Sequence, residues 1–161
     1  MAAQIPSLFE SCTPHDDVLS GTLSENEFAA KLSDVVFRPD DAPDIYADPD
    51  TFFAKTYATE GLQDLLTLLA KRYAGKETGD FSGEDGLLSL DTVFGGGKTH
   101  SQIAAYHFSQ NPDAIEDLER YIVDEEARAE FESIKHDLSV RTAVFEGGYV
   151  SATNAKCNKD D

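Results

Sequence analysis

Basic side chains are scarce in this sequence: 13 lysines and arginines stand against 31 aspartates and glutamates, for a formal net charge of −18. Such a surface repels a phosphate backbone, so direct nucleic-acid binding by this chain alone is not expected. Cysteine is scarcer still. Cys12 and Cys157 lie near opposite ends and neither belongs to a Cys-x-x-Cys pair, which argues against a disulfide scaffold or a structural zinc. No apolar run is long enough to cross a membrane. The opening MAAQIPSLFESCTP holds neither a basic patch nor a central apolar segment, so no secretion signal is read there. Internal repeats are missing too, as is any Ser/His/Asp or Cys/His grouping suited to nucleophilic catalysis. What remains is the expectation of one globular domain in the cytoplasm, long enough to bury a single core.

The acidic surplus exceeds what solubility needs, and its self-repulsion would strain a compact chain in dilute buffer. At about 1 M salt the Debye length falls to about 3 Å and most of that repulsion is screened. Adaptation to a salt-rich cytoplasm is the first reading. An ordinary acidic protein is the alternative.

Along the chain, Ser24–Val36 (SENEFAAKLSDVV) opens with a serine cap and a glutamate three residues on, and Phe28, Leu32 and Val35 follow at helical spacing. The stretch Phe37–Ala47, with two prolines and clustered acids, reads as loop. Asp48-Pro49 starts a helical region to about Ala74, whose Leu62, Leu65, Leu66, Leu69 and Tyr73 share one face. Gly61 is expected either to break it or to admit another backbone closely. Gly75–Gly86 reads as an exposed loop, Leu87–Val93 as a buried strand, and Lys98–Ser109 as a helix stopped by Asn111-Pro112. A third helix, capped by Asn111 and carrying Ile115, Leu118, Ile122, Phe131 and Ile134, is predicted from Pro112 to about His136. Ser139–Phe145 reads as a second strand, and the remainder as a loose tail.

The order strand, glycine run, Lys-Thr, helix gives DTVFGGGKTH (Asp91–His100) its interest. Gly95, Gly96 and Gly97 let successive N–H groups converge on one anion. A helix beginning near Lys98 adds unpaired N–H groups and its positive dipole end. Lys98 would reach the β- and γ-phosphates of ATP and the Thr99 hydroxyl would ligate magnesium, with Phe94 and His100 flanking the cradle. Thr92 stands where such a loop normally has its first glycine. A plain surface turn between strand and helix is the competing reading.

FGGGKTH, followed by an apolar stretch ending in Tyr106-His107, resembles the loop of a family of large P-loop ATP-binding proteins. That family is known as a domain of unknown function, or as ATPases of anti-phage defence and restriction-like gene clusters. TPHDDV (Thr13–Val18), EFAAKL (Glu27–Leu32) and FFAKTYATEGL (Phe52–Leu62) resemble the family's N-terminal region, so the likeness reaches to about Phe145. It implies a P-loop ATP site, and a chain corresponding to the N-terminal piece of a protein several times longer.

A working P-loop ATPase also needs an apolar strand ending in an acid, to hold magnesium and orient water. The only candidate here, Asp124-Glu125 after Tyr121-Ile122-Val123, falls inside the third helical pattern and is read as helix. The resemblance would place the true second site, with its arginine fingers, beyond residue 161. Arg120, Arg128 and Arg141 are read as surface charge. His100 and His107, seven apart on one helix, share a face, but no carboxylate or thiol stands at ligand spacing for a metal. His100 is the better placed for hydrogen bonding near phosphates, while His15 beside Asp16 and Asp17 reads as a turn residue. Thr56, Tyr57 and Thr59 could approach the adenine or ribose, although helix packing explains them more economically.

These readings combine into an α/β, P-loop NTPase-like fold. Residues 1–86 would be mainly helical, 87–146 an incomplete strand–loop–helix core, and 147–161 a tail. The expected ligands are ATP and magnesium, and the expected partners are the nucleotide and other subunits of a larger complex. The rival is a non-catalytic interaction or regulatory protein whose nucleotide loop is vestigial.

Overall fold

A computed structural model of the protein describes residues 7, 11–22, 30–78, 89–90 and 97–145, and every α-helical or strand-like element among them is helical. In chain order the helices are α1 (Asp16–Ser20), α2 (Leu32–Phe37), α3 (Asp44–Ala47), α4 (Pro49–Lys55), α5 (Glu60–Thr78), α6 (Lys98–Gln110), α7 (Leu118–Tyr121) and α8 (Glu125–Ile134). Single 3-10 turns occupy Pro39–Asp41 and Pro112–Ala114.

The α/β expectation is therefore corrected: the described residues contain no strand. Ser139–Phe145 is described throughout and joins no ladder. Its apolar Val140 packs on the core instead, and Gln110 Nε2 donates to the Val140 carbonyl at 3.1 Å and to Thr142 Oγ1 at 2.6 Å. A side chain at the end of α6 ties this segment down where a strand would need a partner strand. Of the first expected strand, Leu87–Val93, only Ser89 and Leu90 are described, and neither has regular structure; the rest lies outside the described residues.

Two helical regions are divided at places the periodicity did not mark. The region from Asp48 splits at Thr56–Thr59 and not at Gly61, which is the second residue of α5 and has no neighbouring atom within 4 Å of where a Cβ would stand. The break is local chemistry. Asp48 caps α4 by accepting from the Thr51 N–H at 2.8 Å, with Pro49 at the first helical position. Thr59 then caps α5, its hydroxyl accepting from the Leu62 N–H at 3.3 Å. Beyond Pro112 the single expected helix is in fact the 3-10 turn, α7 and α8. Asp124 begins α8 as its N-cap, accepting from the Ala127 N–H at 3.0 Å.

Burial follows the apolar spacing even where the helix boundaries do not. Leu62, Leu65, Leu66 and Tyr73 of α5 are buried together with Ile115, Leu118, Ile122 and Phe131. α5 is the spine, packed along α8 and against α6 and α7, while α6 also meets α2 and α4. Phe108 of α6 stacks on Phe131 of α8 with centroids 4.6 Å apart, and Tyr73 lies 6.0 Å from the other partner of that stack, Phe108. Each fully buried aromatic or aliphatic side chain of this kind contributes about 1.5–3 kcal/mol. The Tyr73 hydroxyl is satisfied by Ser109 Oγ at 2.5 Å, joining α5 to α6 inside the core. Among the described residues no helix is long and apolar enough to cross a membrane.

Candidate functional site

Helix α6 opens on glycine. Gly97 has φ 74° and ψ 15°, a left-handed conformation that any side chain would strain, and its carbonyl accepts the first intrahelical bond from the Ser101 N–H at 2.9 Å. It is the N-cap, and no side chain caps the first turn in its place. The 13-residue helix then begins Lys98-Thr99-His100. No acidic residue stands in that first turn, although the chain carries 31 acids. The first N–H groups of a helix lack carbonyl partners within it and carry the positive end of the dipole, so this end favours an anion. Lys98 is exposed and Thr99 half-buried beside it. Phe94, Gly95 and Gly96, the rest of the expected cradle, lie outside the described residues.

His100 faces inward. Its Nε2 lies 3.0 Å from Thr56 Oγ1, and its ring rests 4.7 Å from that of Phe52 and 6.2 Å from that of Tyr46. Burial pushes its pKa down, because the charged form is costly there. The imidazole is thus a brace between α6 and the α4–α5 loop. His107, two turns on, is buried, and its Nε2 donates to the Tyr46 carbonyl at 2.7 Å while Nδ1 has no hydrogen-bond partner among the described residues. Its pKa also falls through burial, against smaller upward effects of the Tyr46 carbonyl and Asp48. No group of three or more histidines, cysteines or acids suited to a metal occurs among the described residues.

Thr56, weighed in the sequence between the nucleotide and helix packing, is a packing junction in the structure. It is buried, and its carbonyl accepts from both the Tyr121 hydroxyl at 2.9 Å and Arg120 Nη2 at 2.8 Å. The Tyr121 hydroxyl also reaches the Phe53 carbonyl at 2.6 Å. Arg120 is exposed, in keeping with its reading as surface charge, and also holds the Thr56 carbonyl, while Arg128 is half-buried and its Nη1 donates to the Ile122 carbonyl at 3.1 Å. Arg141 is exposed, as expected. Tyr57, next to this fixed residue, is 79 % exposed. A loop bonded at Thr56 to α6 and α7 therefore carries an exposed tyrosine at its next residue.

Asp124, the acid that follows the apolar run, is engaged within the fold. Asp124 caps α8 and pairs with Lys71 at 2.6 Å, and the Lys71 hydrogen bond holds its carboxyl below the usual carboxylate range. A cleft of about 470 Å³ lies elsewhere, lined by Phe53, Ile115, Tyr121, Asp50, Asp117 and Arg120. Lys98 and Thr99 are not among its walls, and its acids suit a polyphosphate poorly.

The family model for the DUF499 N-terminal domain matches residues 8–151, which is most of the chain. The chain belongs to that family. The match spans α1 through α8 and takes in both halves of the arrangement above, the Thr56–Thr59 loop and the Gly97–His100 helix start. No curated protein and no solved structure matches it.

Proposed function

We propose that this domain binds ATP with magnesium at the start of α6, as the N-terminal piece of a larger ATPase of a defence or DNA-processing system. The observation that carries the reading is Gly97. A left-handed glycine caps a long helix that starts Lys-Thr, with no carboxylate in the first turn of a protein otherwise crowded with them. In that setting the N–H groups of Lys98, Thr99 and His100 and the glycines before them receive the phosphates. Lys98 supplies a point charge for the terminal phosphates, and the Thr99 hydroxyl is the magnesium ligand. His100 contributes through its backbone, because its ring is engaged with Thr56 and Phe52. Bound magnesium would neutralise charge across the phosphates, which matters in a chain of this net charge.

A second reading is favoured by one observation. Asp124, the acid that follows the apolar run, is committed to a helix cap and to Lys71 and so is not held ready to position water. A binding or interaction module without turnover of its own satisfies that fact, and nucleotide binding separates it from a vestigial loop. Titration of a fluorescent ATP analogue at molar salt should give saturable, magnesium-dependent binding that Lys98→Ala abolishes. Gly97→Ala should weaken it as well, because the left-handed cap costs a non-glycine residue on the order of 1–3 kcal/mol. No binding by the unmodified protein at molar salt would leave the interaction module as the better account.

A further inference from the structure

The cleft beside Tyr121 has a neighbour. A second, more open depression of about 490 Å³ adjoins it, and Asp117 and Arg120 line both. Together they run from Asp50 and Ala54 of α4, past α7, to Glu125 and Arg128 of α8. The walls are apolar at depth: buried Phe53, Ile115 and Tyr121 in the first, and Val123, 54 % exposed, in the second. The rim is acidic. Asp50, Glu116, Asp117, Glu119 and Glu125 are all exposed, and none has an ion-pair partner among the described residues, whereas Asp17, Asp34 and Asp124 are each paired with a lysine or arginine. The two arginines of the walls direct donors at backbone instead: Arg120 at the Thr56 carbonyl and Arg128 at the Ile122 carbonyl. An exposed acid by itself is a solvated charge. Beside an apolar wall in a cleft it fits one kind of group, an aliphatic stem that ends in a cation, as in lysine and arginine side chains.

We infer that the two adjoining clefts form a docking groove for a basic, extended segment of a partner protein, with one lysine or arginine side chain entering each. Charge selects the occupant. A second copy of a chain with a net charge of −18 is repelled, as is a nucleic acid. Shape then separates a polypeptide from a free polyamine. A linear polyamine has charge but no branches, whereas a peptide laid over the shared wall at Asp117 and Arg120 sends side chains into both depressions. Neither Lys98 nor Thr99 lines either cleft, so this groove stands whether or not α6 takes a nucleotide.

Fluorescence anisotropy tests this on the whole chain, in the lowest potassium chloride at which its helical signal is complete. The probe is a labelled peptide of alternating lysine and alanine, with its glutamine–alanine counterpart and spermine as comparisons. The lysine peptide should bind saturably, the glutamine peptide should not, and spermine should compete only weakly. Glu116→Gln/Asp117→Asn should weaken the lysine peptide by about 10-fold, within what two partly screened ion pairs supply. Val123→Ser should weaken it as well, without any change of charge. Glu130→Gln/Asp137→Asn makes the same charge change at exposed positions outside both clefts and should leave the affinity nearly unaltered. An equal loss in that remote pair overturns the inference, because the peptide then reads net charge alone. Spermine that binds as tightly as the peptide overturns it in favour of a small cation. No binding of the lysine peptide to the unmodified protein overturns it outright. Self-association in analytical ultracentrifugation that Val123→Ser abolishes also overturns it, since a second copy is then the occupant. Matching circular dichroism spectra of the variants exclude misfolding as the cause of any loss.

Discussion

The rings of Phe52 and His100 lie 4.7 Å apart with their planes 31° from parallel, and His107 meets the same phenyl ring at 5.4 Å. Both imidazoles are packed where a charge is costly, and both have pKa values pushed below the ordinary 6.5 by burial. In the unfolded chain each histidine returns to its ordinary value. Below about pH 6.5 the unfolded state therefore binds more protons than the folded one. Stability is complete above that point and declines as pH falls through it, until the folded-state values are passed. Urea denaturation at fixed molar salt should give a lower midpoint at about pH 5 than at about pH 7.5, and His107→Gln should narrow the gap. The His107 contribution to the slope is at most about 1.4 kcal/mol per pH unit. Coincident midpoints at the two pH values would contradict it.

Tyr121 and Arg120 share one acceptor, the Thr56 carbonyl. Tyr121→Phe should cost about 1 kcal/mol, the usual net value of one hydrogen bond, because Arg120 still satisfies that carbonyl. Removing both donors leaves it buried and unpaired. The double variant Tyr121→Phe/Arg120→Ala should therefore be less stable than the two single losses predict, by about 0.5–3 kcal/mol. Strict additivity in chemical denaturation would mean that the two donors do not substitute for each other.

The net charge of −18 sets a salt requirement. Raising potassium chloride from millimolar towards molar should increase the helical signal in far-ultraviolet circular dichroism, as the Debye length shrinks to about 3 Å. A spectrum already complete in dilute buffer, and indifferent to salt, counts against adaptation to a salt-rich cytoplasm.

ATP hydrolysis by this chain alone should be negligible, below about one turnover per second, the low end of ordinary enzymes. Phosphate release by the purified protein should be the same in Glu125→Gln. Asp124→Ala should instead lower the thermal midpoint, since that carboxylate caps α8 and pairs with Lys71. Turnover that disappears in the Asp124 and Glu125 variants would make these acids a second catalytic site after all.

Helix α6 was legible because its signals are local: a glycine run before Lys98 and Asn111-Pro112 after Gln110 bound a periodic apolar stretch. The inward face of α5 was legible for the same reason. The break at Thr56 was not, because what fixes it comes from Arg120 and Tyr121, 64 and 65 residues away. The division before α8 had a local sign that periodicity masked. Asp124 followed by two glutamates is a helix N-terminus, but Ile122 and Phe131 kept apolar spacing across it. For Ser139–Phe145 the composition suited a strand, and the partner that a strand requires is missing from the described residues. At the candidate site, Lys98 and Thr99 stood out as residue types, whereas the meeting of Thr56 with His100 required the fold.

Thr56 leaves the ribosome 44 residues ahead of His100 and 64 ahead of Arg120. At roughly 5–20 residues per second of synthesis, the loop waits about 3 to 13 seconds for the arginine that clamps it. Phe52 and Phe53, both buried in the finished protein, spend most of that interval without a complete α6, and all of it without a complete α7, to cover them. The nascent chain thus carries an uncovered pair of phenyl rings before that loop can take shape, and that interval is when a chaperone has most to hold.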